Sequence, residues 1–235
     1  MRPFDLVIFD LDGTLVDSAP DIASALNLTL ANAGLPVLPV ADVIGFVGDG
    51  ATKLIERALM AIAAEPGGAA PPAATLLPRF LDIYRAHSCV ASRLYPGVDD
   101  LLTTLREAGT ATVVLTNKPD AIARELLAAL SVLDRFEAVI GDGAGFPRKP
   151  DPAAAHHLIR EARTTPERTI VVGDGIPDMR MANAVPCASL AAGWGYATAA
   201  ALRAEGPRFW ADSVSQAAHI LRGPGSGATA EASKE

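Results

Sequence analysis

The sequence predicts an α/β protein: an open parallel sheet with helices packed on both faces, interrupted once by an all-helical segment. Three observations carry this. Leu6-Val7-Ile8-Phe9 is a short apolar run of strand formers, the pattern of a strand buried on both sides. Residues 18–92 keep helical spacing and offer no strand. From Leu94 onward strand and helix patterns alternate, as in a series of right-handed crossovers.

Taken in order, the first strand runs into Asp10-Leu11-Asp12-Gly13-Thr14. Residues two apart on extended backbone point the same way, so Asp10 and Asp12 are expected to project together beyond the strand end. Two such carboxylates repel unless a cation or a proton lies between them, a first indication of Mg²⁺. Ser18 is expected to cap a helix that starts at Ala19-Pro20, with Asp21 near its N-terminus, and Gly34 and Pro36 end it. Further helices are expected over residues 40–46, 51–64 and 73–88. Pro78 would sit in the first turn of the last or kink it, and residues 65–72 form a loop. Val47-Gly48-Asp49-Gly50 is a tight loop before the second of these helices.

Beyond it the periodicity gives strands at 111–115, 138–140, 169–172, 188–190 and 209–210, with helices at 98–108, 119–130, from about 152 to 163, 177–183 and 214–221. Residues 223–235, rich in Gly, Ala and Ser, read as a disordered tail.

Composition narrows the function. With 50% hydrophobic and 20% charged residues the 235-residue chain reads as an ordinary soluble globular protein able to bury a sizeable core. A net charge of −7, without a dense Lys/Arg cluster, argues against nucleic acid as a partner. The start of the chain runs almost directly into the first strand, and no apolar stretch is long enough to span a bilayer, so a cytoplasmic location without membrane association is expected. Cys89 and Cys187 fit no metal or redox spacing and are expected to be buried small apolar residues. Nothing in the sequence sets an oligomeric state.

Every other polar motif also follows a strand or opens a helix, where open parallel sheets bind ligands. Thr116-Asn117 ends a strand, and a hydroxyl with free backbone N–H groups there can hold a phosphate, although both residue types also cap helices well. Lys149, between Arg148 and Pro150, is on its own an ordinary solvated lysine. Asp174 and Asp178 follow the strand at 169–172 with i, i+4 spacing, and either could simply complement a helix dipole. The adjacent His156 and His157 diverge around a helix axis and cannot ligate from one face.

The succession Asp-x-Asp-Gly-Thr, Thr-Asn, Lys-Pro and Gly-Asp-x-x-x-Asp resembles the four motifs of the haloacid dehalogenase superfamily, whose members are mostly Mg²⁺-dependent phosphohydrolases. The resemblance implies a Rossmann-like core formed by residues 1–17 and 93–222 and an inserted helical cap domain at 18–92. It also implies roles. Asp10 would be the nucleophile that forms an aspartyl-phosphate, and Asp12 the acid and then the base. Asp10, the main-chain carbonyl of Asp12, and Asp174 would hold Mg²⁺. Thr116, Asn117 and Lys149 would bind the transferring phosphoryl group, with Asp178 orienting waters or Lys149 behind them. Gly175 stands where the family usually has Ser or Thr, a departure that would loosen metal affinity while removing no ligand.

GTLVDSAP at 13–20, VGDGATKLIERAL at 47–59 and LTNKP at 115–119 look like bacterial phosphoglycolate phosphatases, which implies a small phosphorylated metabolite, 2-phosphoglycolate, as substrate. Gly48 and Gly50 at a helix start would offer N–H groups to a small carboxylate, with Lys53 one turn inside; in the plainer reading Asp49 caps that helix and the glycines only permit the turn. Sugar or amino-sugar phosphates, a β-phosphoglucomutase-like phosphomutase, and a binding protein without activity stay open at this point.

Overall fold

The computed structural model describes residues 2–65 and 70–223. The expected tail therefore lies outside the described residues except for Gly223, as does the middle of the expected 65–72 loop. In chain order the first part comprises β1 (Leu6–Phe9), β2 (Val16–Asp17), α1 (Ala19–Asn32), α2 (Val40–Ile44), α3 (Ala51–Ala63), α4 (Ala73–Ala86) and β3 (Arg93–Leu94). There follow α5 (Val98–Glu107), β4 (Ala111–Pro119), α6 (Asp120–Ala129), β5 (Ala138–Asp142), α7 (Ala153–Glu161), β6 (Thr169–Gly173) and α8 (Ile176–Ala184). The chain closes with β7 (Ala188–Ala192), α9 (Ala199–Ala204), β8 (Phe209–Ala211) and α10 (Val214–Arg222).

β1 sits inside a six-stranded sheet ordered β5-β4-β1-β6-β7-β8, and every pairing in it is parallel. Its alternating side chains explain the apolar run. Val7 and Phe9 join the cluster formed by α5, α6 and α10, whereas Leu6 and Ile8 point through the sheet to α7 and α8. All four are buried, each contributing about 1.5–3 kcal/mol relative to exposure. From β1 the chain builds β4 and β5 on one side, then crosses to β6, β7 and β8 on the other. That reversal opens a crevice at the carboxyl ends of β4, β1 and β6.

Helices α1, α3 and α4 pack around their own apolar cluster, including Leu26, Ile55, Leu59, Phe80 and Tyr84, to which, among the described residues, Ile122 of α6 is the one buried contribution from beyond residue 94. The chain enters and leaves this helical layer through β2 and β3, which pair antiparallel, Val16 with Leu94 and Asp17 with Arg93. Asp21 fastens the exit. Its carboxylate accepts from the N–H groups of Val90, Ala91 and Ser92 and from the Ser92 hydroxyl at 2.7–3.0 Å. These bonds outweigh its burial and hold its pKa below the usual value. Ser18 does not cap α1 with its side chain. Its N–H and that of Ala19 donate instead to the Tyr196 hydroxyl at 2.8 and 2.9 Å, and the Ser18 hydroxyl turns to Asp12.

Other departures are local. β4 continues to Pro119 because Asn117 and Lys118 are buried and hydrogen-bonded rather than turning out to solvent. Pro78 lies within α4, past its first turn. Short β2 and β3, α9, and single 3₁₀ turns at Leu133–Arg135 and Pro166–Arg168 add to the expected elements. Cys89 and Cys187 are free and only partly buried. Among the described residues no helix is long and apolar enough to cross a membrane.

Candidate active site

Asp10 follows β1 directly, with its N–H bonded to the Val172 carbonyl of β6 at 2.9 Å. Its Oδ1 accepts from the Leu11 N–H at 2.7 Å and lies 2.7 Å from the Lys149 ammonium. Oδ2 receives no hydrogen bond among the described residues and is the atom left for chemistry. Lys149 also bonds Asp178 Oδ1 at 2.6 Å, with both side chains about 2% exposed. Burial presses the Lys149 pKa down, but Asp10 and Asp178 together outweigh it, and the ammonium is held charged.

Asn117 brackets Lys149. Its Oδ1 accepts from the Lys149 N–H at 2.9 Å, while Nδ2 donates to the Lys149 carbonyl at 3.2 Å and to the Gly48 carbonyl of the helical layer at 3.1 Å. Both amide protons are engaged, so the expected grip of this side chain on a phosphoryl oxygen gives way to positioning of Lys149. Thr116 is buried; its oxygen accepts from the Lys118 N–H at 3.2 Å, and its proton has no acceptor among the described residues.

Asp174 lies at the end of β6, held by the Thr14 hydroxyl at 2.8 Å and the Tyr196 N–H at 2.7 Å. Gly13 has φ +81°, and a Cβ there would collide with the Asp174 carboxylate, so only glycine lets the first loop approach so closely. Burial first, then the charge on Asp10, push Asp174 up to about 8. Asp178, packed below it and bonded by the Gly175 N–H at 3.1 Å, is likewise raised, by burial first and then by Asp10.

Asp12 points into the same crevice as Asp10 and has its own lysine. Lys118 Nζ lies 2.8 Å from Asp12 Oδ1, the Ser18 hydroxyl donates to that oxygen at 2.5 Å, and Lys118 also donates to the Tyr84 hydroxyl of α4. Lys118 carries no signal of its own in the sequence beyond its place in the LTNKP stretch; its role depends on β4 bringing it beside Asp12. The charges decide whether a metal fits. Asp10, Asp12, Asp174 and Asp178 are four carboxylates around two ammonium groups, leaving two negative charges unmatched when all are ionised. A divalent cation suits that deficit. No three His, Cys, Asp or Glu side chains among the described residues converge closely enough to bind a metal alone. The implied set does not require it, since it takes only two carboxylates, a main-chain carbonyl and waters.

Two cavities meet at the aspartates, sharing Asp10, Asp12, Val47 and Gly48 in their walls. The smaller, about 50 Å³, is lined by Ile22, Leu54, Phe80 and Tyr84 of the helical layer and by Thr116 and Lys118 of β4. The larger, about 470 Å³, extends past Asp174 to Arg57 and Arg180. Gly48 and Gly50 have φ +122° and +89°, and a Cβ on Gly50 would press on the Asn117 carbonyl, so the loop meets the crevice as expected. Lys53 does not. Its side chain is 57% exposed, paired with Glu56 at 2.6 Å, and lines neither cavity, because one turn into α3 it faces outward. Asp49 does not cap α3 either but pairs with Arg57.

Comparison with known proteins agrees with this architecture. Residues 4–185 match the family model for haloacid dehalogenase-like hydrolases. Phosphoglycolate phosphatase of Haemophilus influenzae (strain 86-028NP) is 35% identical over 93% of this chain and 98% of its own length; that of Caulobacter vibrioides is 40% identical over 73% and 72%. The crystal structure of a predicted phosphoglycolate phosphatase from Haemophilus somnus 129pt superposes with a TM-score of 0.85 at 30% identity, covering 91% of this chain and 96% of that one. The chain belongs to the haloacid dehalogenase-like hydrolases.

Proposed function

We propose that this hydrolase is a Mg²⁺-dependent phosphomonoesterase of the cytoplasm that converts 2-phosphoglycolate to glycolate and phosphate. The observation that carries the reading is the pairing of Asp10 and Asp12 with separate buried lysines at the mouth where the winding of the sheet reverses. One carboxylate can then act as nucleophile while the other handles protons. Likeness to phosphoglycolate phosphatases over nearly the whole chain supports the substrate.

In this mechanism Asp10 Oδ2 attacks phosphorus, forming the aspartyl-phosphate as the bond to the leaving oxygen breaks. Asp12 gives its proton to that oxygen, then takes one from the water that hydrolyses the acyl phosphate, returning Asp10 to its carboxylate. Lys149 and the Thr116 hydroxyl oppose charge gathering on the phosphoryl oxygens, while Asn117 and Asp178 fix Lys149 in place. Held by Asp10, the main-chain carbonyl of Asp12, and Asp174, Mg²⁺ would supply charge neutralisation between the carboxylates and the incoming dianion. Helices α1 to α4 act as a cap over residues 18–92, with the Gly48–Gly50 loop shielding the phosphoryl group from bulk water.

The test is phosphate release from a panel containing 2-phosphoglycolate, sugar phosphates and amino-sugar 6-phosphates, with Mg²⁺ and with EDTA. Preferred, Mg²⁺-dependent release from 2-phosphoglycolate is expected. Isomerised product, or no turnover of any monoester, would overturn the reading.

A further inference from the structure

We infer that Lys118, rather than any cation of the helical layer, receives the carboxylate of the substrate's leaving group; this rests on the phosphoglycolate reading above. Among the described residues lining the smaller cavity, Lys118 is the one cationic side chain. Its ammonium is 1% exposed on the side chain and stands between Asp12 of the sheet and Tyr84 of α4, with Nζ 4.5 Å from the centre of the Tyr84 ring. Its three donors go to Tyr84 and to both Asp12 carboxylate oxygens, at 2.8 and 3.2 Å, and the longer of these two bonds is the one a substrate carboxylate would displace.

The position matters as much as the charge. In glycolate the carboxylate is bonded to the carbon bearing the ester oxygen. A donor one hydrogen-bond length from Asp12 therefore also reaches the carboxylate of a substrate whose ester oxygen Asp12 protonates. The cavity of about 50 Å³ holds a fragment of a few non-hydrogen atoms, and Ile22, Leu54 and Phe80 in its lining offer no hydrogen-bonding partners to the hydroxyls of a longer polyol. Arg57 lines only the larger cavity and is already paired with Asp49. Facing a neutral leaving group the buried ammonium gains no anionic partner in exchange for that long bond, which is how such a site favours substrates that carry the anion.

The experiment compares kcat/KM for 2-phosphoglycolate and for ethyl phosphate, in which a methyl group replaces the carboxylate, in the wild type and in Lys118→Met. The wild type should prefer 2-phosphoglycolate. The variant should lose activity on both substrates, because Asp12 loses its buried partner, but roughly 100-fold more on 2-phosphoglycolate than on ethyl phosphate, so that the preference between them collapses. Parallel losses on both substrates would overturn the inference and leave Lys118 as a positioning residue for Asp12. Should Lys118→Met fail to fold, Lys118→Gln, which keeps a donor without the charge, decides by the same ratio: a retained preference overturns the assignment. A wild type that turns over ethyl phosphate as well as 2-phosphoglycolate would refute the substrate reading itself, an outcome distinct from failure of the lysine assignment.

Discussion

Replacing Lys149 with Met removes the one cation shared by two buried carboxylates and should be the most damaging single change to the resting site. Its ammonium lies 2.7 Å from Asp10 and 2.6 Å from Asp178, all nearly inaccessible to water, so neither anion can find a solvent partner. Breaking a buried pair from one side typically destabilises by about 3–5 kcal/mol. At about 2–4 °C per kcal/mol for a chain of this size, the melting temperature should fall by about 6–20 °C. The loss should depend on pH. Asp178 has a folded pKa raised above its unfolded 3.8, so the stability linked to its neutral form is complete below that value and is lost as pH rises through the folded pKa. Lys149 is what restrains that rise; without it the folded pKa climbs further. The deficit relative to wild type should therefore be larger at pH 8 than at pH 5.5, and Asp178→Asn in the same chain should recover part of it. Thermal melts in EDTA at the two pH values measure this. An equal deficit at both, or a larger one in acid, would refute the charge argument.

Other expectations follow from neighbouring contacts. Because Asp174 is pushed up to about 8, Mg²⁺ must displace a proton below that pH; its affinity should rise up to about tenfold per pH unit between pH 6 and 8 and flatten above, as followed by calorimetric titration. Asn117→Ala should strand the Lys149 N–H and carbonyl, lowering stability by about 1–3 kcal/mol in chemical unfolding and reducing kcat more than it raises KM. Asp21→Ala should release the three amides at Val90, Ala91 and Ser92, and limited proteolysis should then nick the chain near residues 88–92 several times faster than in wild type.

What the sequence made legible was local and periodic. The run at 6–9 announced a doubly buried strand because β1 has neighbours on both edges and helices on both faces, so every position wants an apolar side chain. The turns after β1 and β6 were readable for the same reason: Asp10, Asp12, Asp174 and Asp178 each follow such a strand closely. What escaped depends on partners distant in the chain. Lys118 looks like an ordinary lysine until Tyr84 and Asp12 are brought beside it. Ser18 has the right residue type for a cap, but its hydroxyl goes to Asp12 and its N–H to a tyrosine 178 positions away. Lys53 is one turn from the glycine loop in sequence, but the rotation of α3 turns it to Glu56. By type Asn117 suits a phosphate, whereas its side-chain amide is engaged by the main chain of Lys149 and Gly48.

The central claim is that Asp10 becomes covalently phosphorylated. Its most direct test is acid quenching of the wild type and of Asp10→Asn during turnover of 2-phosphoglycolate with Mg²⁺, followed by mass spectrometry of the peptide spanning residues 4–18. The account predicts one phosphoryl adduct on Asp10 in the wild type, and neither adduct nor phosphate release in the folded variant. Steady release of phosphate by Asp10→Asn, or an adduct on any other residue, would contradict it.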